Sequence, residues 1–454
     1  LTRARDVASI LTAASTLSTD TETASVASSA ASSAVSAHNT AANGHVGRGN
    51  TASRPGSPAV GDLYFDTTLD KLIQYTSAGW AAIAPVPNAP TSVSATGGVL
   101  QAVVSFTAPT NTGVNSYTVT SSPGNITGSG TSSPVTVTGL TAGTSYTFTV
   151  VALNSNGTSP ASSASNSITP TNATFSVDYL VVAGGGGGPG YAYGGGGGGG
   201  GVRSTVTATG GGGSLESALS ISTSSNYQVT VGSGGARGTV ASPTINTSGG
   251  NSIFSTITST GGGSGGIGNP NVSGTGGSSG GAAGNSSSTV GARTTNPIQG
   301  NVGGTGATDS NSYANGGGGG GAGAAGGNAT SGASGNGGNG VAISITGSSV
   351  YYGGGGGGGG TGSEGTGGLG GGGNGSEINV NTNGTANTGG GGGAGGGNSA
   401  AGNGGTGGSG IVILRYPEAR TITFGAGLTG TEGAASGGYK VATITAGTGN
   451  VSWL

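Results

Sequence analysis

The chain of 454 residues has no cysteine and no methionine, and it is poor in charge, histidine and lysine. Without cysteine there is no disulfide framework and no thiolate metal site. Charged residues make up only 5% of the chain and the net charge is -2, so no long-range field steers nucleic acid or an acidic membrane toward it. The only lysines are Lys71 and Lys440, and neither sits in a Gly-x4-Gly-Lys-Ser/Thr context, which excludes a phosphate loop. No apolar run reaches the ~18 residues of a membrane-spanning helix, and no signal peptide is visible. The sequence begins at Leu1, and this reading expects the start of the protein to have been trimmed or left out.

What is abundant is glycine, 111 residues, concentrated after about residue 180. Before that the chain reads as three smaller segments. Residues 1–50 are rich in alanine and serine. Val7, Ile10, Ala14, Leu17, Thr21, Ala24, Ser28, Ala31 and Val35 alternate spacings of three and four, a heptad seam of mostly small residues. The spacing predicts a helical (coiled-coil) oligomerisation stem, trimeric by expectation, with a low-complexity linker as the alternative. His38 and His45, the only histidines, lie in or just after it, where a trimer axis could hold an ion.

Residues 54–84, "RPGSPAVGDLYFDTTLDKLIQYTSAGWAAIA", predict a β-hairpin module. Asp62, Asp66 and Asp70 are four apart. A calcium loop needs ligands at alternate positions and a glycine, so they read as turn and strand-end residues. Residues 87–170 carry short alternating strands broken by Gly, Pro, Asn and Ser about every ten residues, the pattern of a β-sandwich.

Residues 175–416 could be a tether or a packed solid. A tether is monotonous and polar. Here strands such as "FSVDYLVV", "NYQVTV", "NSIFSTIT", "NGVAISIT" and "GIVILRY" interrupt the glycine; their Val, Ile, Tyr and Phe alternate with polar residues as in half-buried strands, so the segments leave a β base and return to it. Ordering each backbone costs ~1–2 kcal/mol, and a glycine side chain buries almost nothing. Hydrogen bonds between neighbouring extended helices of three residues per turn can offset that cost, because glycine admits close approach from all sides. At ~3.1 Å per residue the run Gly353–Gly360 spans roughly 25 Å. Collagen is excluded, since proline is scarce and glycines are consecutive. Residues 417–454 predict a C-terminal β unit, which either closes the glycine region or associates copies, with Trp453 packed against a neighbour.

Three resemblances add to this. "RPGSPAVGDLYFDTTLDKLIQY" resembles a hairpin module common in bacteriophage tail fibres. "GLTAGTSYTFTVVALNSNGTS" is similar to fibronectin type III domains, implying Leu140 as core leucine and Tyr146 as corner tyrosine, with Phe106 where that family usually has tryptophan. "DYLVVAGGGGG" with the closing "GGTGGSGIVILRY" resembles the glycine-rich domain of phage tail-tip adhesins. That resemblance implies a sandwich of polyglycine-II helices on a β base whose turns meet a receptor. The matching turn residues are Pro189, Tyr191 and Tyr193; Asn269, Pro270 and Asn271; Arg293, Asn296 and Pro297; Asp309, Asn311 and Tyr313; and Glu377, Asn379, Asn381 and Asn383. Aromatics stack and amides hydrogen-bond, which suits a host cell-surface glycan or outer-membrane protein. The same residues are also what plain turns use.

The expected fold class is mainly β. The expected function is a virion tail adhesin, non-enzymatic and homotrimeric, with other virion proteins as partners, no nucleic acid and no cofactor. A structural virion protein and a bacterial surface adhesin are the alternatives. No motif promotes catalysis: the carboxylates Glu216, Asp309, Glu364 and Glu377 are sparse, and Gly-x-Gly-x-x-Gly strings follow from composition. Asn-x-Ser/Thr triplets such as Asn125 to Thr127 are expected by chance in a chain so rich in these residues.

Overall fold

The computed structural model describes residues 47–454 except 70, 83–85, 111–112, 191–192, 240–241, 243–245, 269–271, 285–288, 309–313, 377–382 and 397–401. The heptad stem, His38, His45 and Asp70 lie outside the described residues. The chain divides into two compact units at Thr171 and Asn172.

The first unit opens with a four-stranded sheet in the order β1 (Gly47–Gly49), β2 (Leu63–Asp66), β3 (Lys71–Thr76), β4 (Gly79–Ala82). Alternation turns Tyr64 and Asp66 of β2 to the buried face. Trp80 tilts against Tyr64 at 5.8 Å and meets Tyr75 edge-on at 5.4 Å. Asp66 is fully buried and organises the module. It accepts from Arg54 at 2.7 Å, from the Thr51 hydroxyl, and from the N–H groups of Thr68 and Leu69. Burial pushes its carboxyl up, but these donors outweigh burial and hold it below the usual carboxylate range. Asp62 accepts from Ala59 N–H at 2.8 Å, as a turn aspartate does.

A two-sheet sandwich follows. One sheet runs β5 (Thr91–Gly97), β6 (Gln101–Thr107), β9 (Val135–Thr138). The other runs β11 (Gly157–Thr158), β10 (Thr147–Asn154), β7 (Ser116–Ser122), β8 (Thr127–Gly130). Inward residues of both sheets, among them Val104, Val119, Val137, Phe148 and Val150, form one core. Leu140 and Tyr146 are buried in it, and the Tyr146 hydroxyl accepts from Thr141 N–H at 3.2 Å. Phe106, where the resemblance implies tryptophan, packs on Tyr117 at 4.7 Å.

The outer edge of β10 is closed without a regular strand. Ser159, Ser162, Ser165 and Ile168, three residues apart, donate their N–H groups to the carbonyls of Ala152, Val150, Phe148 and Tyr146, two residues apart. The mismatch leaves strand N–H groups unserved, and the three serine hydroxyls accept them at 2.9–3.0 Å. An edge that could pair with another chain is thereby covered.

The second unit is built on a ten-stranded sheet. Its path is β13 (Val202–Ser204), β12 (Thr174–Val182), β22 (Ile411–Pro417), β25 (Tyr439–Trp453), β15 (Tyr227–Thr230), β16 (Ser252–Phe254), β17 (Ile257–Ser259). β14 (Leu219–Ser222) adds to β12, while β23 (Ile422–Phe424) and β24 (Leu428–Glu432) add to β25. Two short hairpins, β18 (Ala307–Thr308) with β19 (Ala314–Asn315) and β20 (Val341–Ile343) with β21 (Val350–Tyr352), stand apart. Tyr179, Val181, Val412, Leu414 and Tyr416 join one core cluster, and their alternates Leu180, Val182, Ile411 and Ile413 join another. The middle strands are therefore apolar on both faces, not half-buried as alternation would make them, because a core lies on each side of the sheet.

Residues 417–454, expected as a terminal β unit that closes the glycine region or associates copies, supply β25 to the interior of this sheet, where it pairs with β22 and β15. Trp453, expected as an anchor packed against a neighbour, is fully buried within its own chain. It meets Phe175, Tyr227 and Tyr416 edge-on at 5.7–6.0 Å.

The glycine segments extend from this sheet as a lattice joined by main-chain hydrogen bonds. Gly184, Gly185 and Gly186 donate to Gly250, Gly408 and Gly198; Gly187 and Gly188 return to Thr247 and Gly405, three residues along the first two neighbours. Gly195, Gly198 and Gly201 donate to Gly266, Gly263 and Thr260, Gly196 and Gly199 to Gly317 and Gly320, and Gly197 and Gly200 to Gly392 and Gly389. The bond direction thus repeats every three residues and serves three neighbours, as a helix of three residues per turn requires. A Cβ on Gly196, Gly197 or Gly199 would overlap the carbonyl oxygen of Gly356, Gly186 or Gly353. Gly353, directly after β21, has φ +72°, the left-handed conformation that turns the chain from strand into lattice.

Candidate functional site

The lattice has two ends, and the chain decides which residues stand at each. Residues 183–189 continue outward from β12, and 194–201 come back to β13. At ~3.1 Å per residue the outer end lies roughly 20 Å from the sheet. Hydrogen bonds identify the residues that share that end. Gly395 donates to the Pro189 carbonyl, Gly284 to Tyr193, Gly359 to Gly194 and Gly396 to Ser376, while Asn315 bridges Gly360. The described residues Pro189, Tyr193, Gly284, Asn315, Ser376 and Gly396 therefore gather at one outer end.

The proposed turn residues distribute unevenly over this frame. Pro189 is buried in the lattice end. Tyr193 is half-buried, with φ +73°. Tyr191, Asn269, Pro270, Asn271, Asp309, Asn311, Tyr313, Glu377, Asn379 and Asn381 lie outside the described residues; Thr308 and Ala314, and Ser376 and Asn383, lead into and out of two of those turns. Asn383 is exposed, and its Oδ1 accepts from Thr406 N–H at 2.9 Å, so it also ties two lattice segments together.

Arg293, Asn296 and Pro297 are not at the outer end where Pro189 and Tyr193 stand. Gln299, 2% exposed, docks the turn before it at the sheet: its carbonyl accepts from Val202 N–H, and its side chain accepts from Thr260 N–H and donates to the Thr258 carbonyl. Arg293 bends back to the Gly300 carbonyl at 3.1 Å and to Asn301 Oδ1. Pro297 instead lines a shallow concavity of about 520 Å³ with Arg203, Leu215 and Glu216. Both Glu216 oxygens are engaged by Arg203 at 2.7 Å, and one also accepts from the Tyr179 hydroxyl. Burial, then the Glu216 bond, pushes the Tyr179 phenol far above its ordinary value. Arg415 with Asp178 at 2.7 Å and Lys440 with Glu432 at 3.5 Å add two further ion pairs to the sheet.

Sequence reasoning missed a second use of asparagine. Asn251, Asn328, Asn336, Asn339 and Asn374 lie within or beside lattice segments, and the Oδ1 of each accepts a neighbour's backbone N–H at 2.8–3.0 Å. A carboxamide here stands in for the carbonyl of a further glycine segment, where none runs alongside. The three-residue spacing of Asn336 and Asn339 in "GNGGNG" was the available signal.

No group of three or more histidine, aspartate or glutamate side chains arranged to hold a metal occurs among the described residues.

Comparison with known proteins agrees with the two units. A family model described as a fibronectin type III domain matches residues 88–168. Among solved structures, a crystal structure of domains from titin is similar at 23% identity, covering 22% of this chain and 42% of that chain, with a TM-score of 0.19. No curated protein matches. A family model described as a glycine-rich domain matches residues 158–417, more than half of the sequence, and the chain belongs to that family.

Proposed function

We propose that this chain is an adhesin of a virion tail fibre, in which the glycine segments are polyglycine-II helices acting as a rigid platform for receptor-binding turns. The observation that supports it most is the convergence of described segment ends at one outer end, held by hydrogen bonds such as Gly395 to Pro189 and Gly284 to Tyr193. A lattice bonded in three directions fixes the bases of its turns, so variable turn residues can change without unsettling it. Tyr191, Asn269, Asn271, Asp309, Asn311, Tyr313, Glu377, Asn379 and Asn381 carry the contact in this reading, with a host glycan or outer-membrane protein as partner. Pro189 and Asn383 serve the lattice instead, and Arg293, Asn296 and Pro297 leave the set because they stand at the sheet end.

The sandwich then acts as a spacer, and the segment before β1 joins copies into a trimer, since residues 47–49 of the expected stem form a strand instead. Several copies raise avidity over a weak single contact. The test is attachment of the purified chain to cells of the candidate host. Replacing 309–313 and 377–382 with Gly-Ser residues is expected to weaken attachment on the order of tenfold or more while the melting profile stays unchanged. Unchanged attachment refutes the turn reading. Binding solely to other virion proteins favours a structural role.

A further inference from the structure

One side of the lattice presents a pattern that the turn reading does not use. The segment Thr366–Leu369 runs between two asparagine-bearing neighbours. Asn336 and Asn339 accept from Thr366 and Leu369 N–H on one flank, at 2.8 and 3.0 Å, and Asn374 accepts from Gly367 N–H at 2.8 Å on the other. The remaining direction, Gly368 N–H to the Gly355 carbonyl, points into the lattice. All three asparagines are exposed, as are Thr366 and Leu369 between them.

The caps decide which way each carboxamide faces. A backbone N–H needs an acceptor, so Oδ1 must turn inward and the Nδ2 group is left facing away. Among the described residues no partner for these three Nδ2 groups is found. The result is a flat strip whose available side-chain amide groups are all donors, held in place by their own oxygens. Asn336 and Asn339 are separated by one helical repeat, roughly 9 Å. The strip has no aromatic or arginine anchor of the kind that dominates protein interfaces. It offers instead fixed donors beside a small apolar ridge, Leu369, at 56% exposure.

We propose that this strip binds an extended polysaccharide, whose ring, hydroxyl and acetamido oxygens accept from Asn336, Asn339 and Asn374 while a sugar face rests on Leu369. Because the donors are already ordered, little conformational freedom is lost on binding. The inference rests on the reading that the chain meets a cell surface, but uses a different face from the turns.

The experiment measures retention of the full chain on an array of immobilised neutral polysaccharides, which keeps added charge from repelling the ligand. Asn→Asp at positions 336, 339 and 374 retains the inward oxygen and so the cap, but removes the outward donors. Binding of the triple variant is expected to fall on the order of tenfold or more, with an unchanged melting profile. Leu369→Glu, which touches no cap, is expected to weaken binding as well and serves if the triple variant fails to fold. Replacing 309–313 and 377–382 is expected to leave polysaccharide retention intact. Retention unaffected by both face changes overturns the inference, as does a wild-type chain that binds none of the polysaccharides. Loss on changing the turns alone assigns the binding to them and overturns the strip while the adhesin reading stands.

Discussion

The sandwich and the glycine lattice solve the same problem with opposite materials. In the sandwich, side chains from two sheets fill the space between them, and Val104, Val119, Phe148 and Val150 are removed from water. In the lattice the backbone itself fills the space, and Gly197 is enclosed by the main chains of its neighbours. One region is damaged by taking atoms away, the other by adding them. They share a device at their boundary. The run from Ser159 to Ser165 already repeats every three residues, bonded to a strand on one side only and helped by serine hydroxyls. Beyond β12, glycine lets the same period bond on three sides.

The contrast can be tested in descending order of effect. Phe148→Ala should destabilise the sandwich by about 3–5 kcal/mol through the cavity it leaves, lowering only the transition of the first unit in calorimetry of the full chain. Trp453→Ala should do the same to the second unit, since its indole is fully buried among three aromatic rings. Gly197→Ala adds a single methyl yet should cost about 1–3 kcal/mol or more, because rigid backbone cannot yield to it. The same change at Gly332, which has open space around it, should stay within about 0.5 kcal/mol. Equal melting points for those two variants would remove the claim that the lattice is a packed solid. Ser162→Ala strips the acceptor from the buried Val150 N–H and should cost about 1–3 kcal/mol.

Alkaline pH should separate the second unit from the sandwich by sign. Burial, followed by the bonds to Glu216 and Glu432, raises the phenols of Tyr179 and Tyr416 in the second unit. A raised folded value gives stability that is complete below the unfolded value of about 10 and is lost as pH rises past it. Tyr146 of the sandwich has the reverse shift, because Thr141 N–H bonds its oxygen and lowers it. Melting between about pH 9 and about pH 11 should therefore weaken the second unit more than the sandwich, and Tyr416→Phe should reduce that loss.

Much of this was written in the residues. Alternation and turn spacing are enough for the sandwich, and the resemblance to fibronectin type III domains pointed to Leu140 and Tyr146, both buried in its core. Strands such as "DYLVV" and "GIVILRY" announce a base, but reading them as alternating and half-buried missed that their successive residues feed two cores. That glycine runs between them form something other than a tether also follows, because a tether has no use for paired strands. The pairing of one glycine segment with another could not be read. Those contacts are backbone to backbone, so every run presents the same chemistry and none names its neighbour. For that reason the docking of Gln299 at the sheet, which carries Arg293, Asn296 and Pro297 away from the other turns, had no local signature. The same holds for β25 entering the middle of the sheet, because strand order depends on which edges remain open once all segments have packed. Composition settled that main chain would be the building material here; three-dimensional packing alone settled which asparagines finish its edges and which way their amides face.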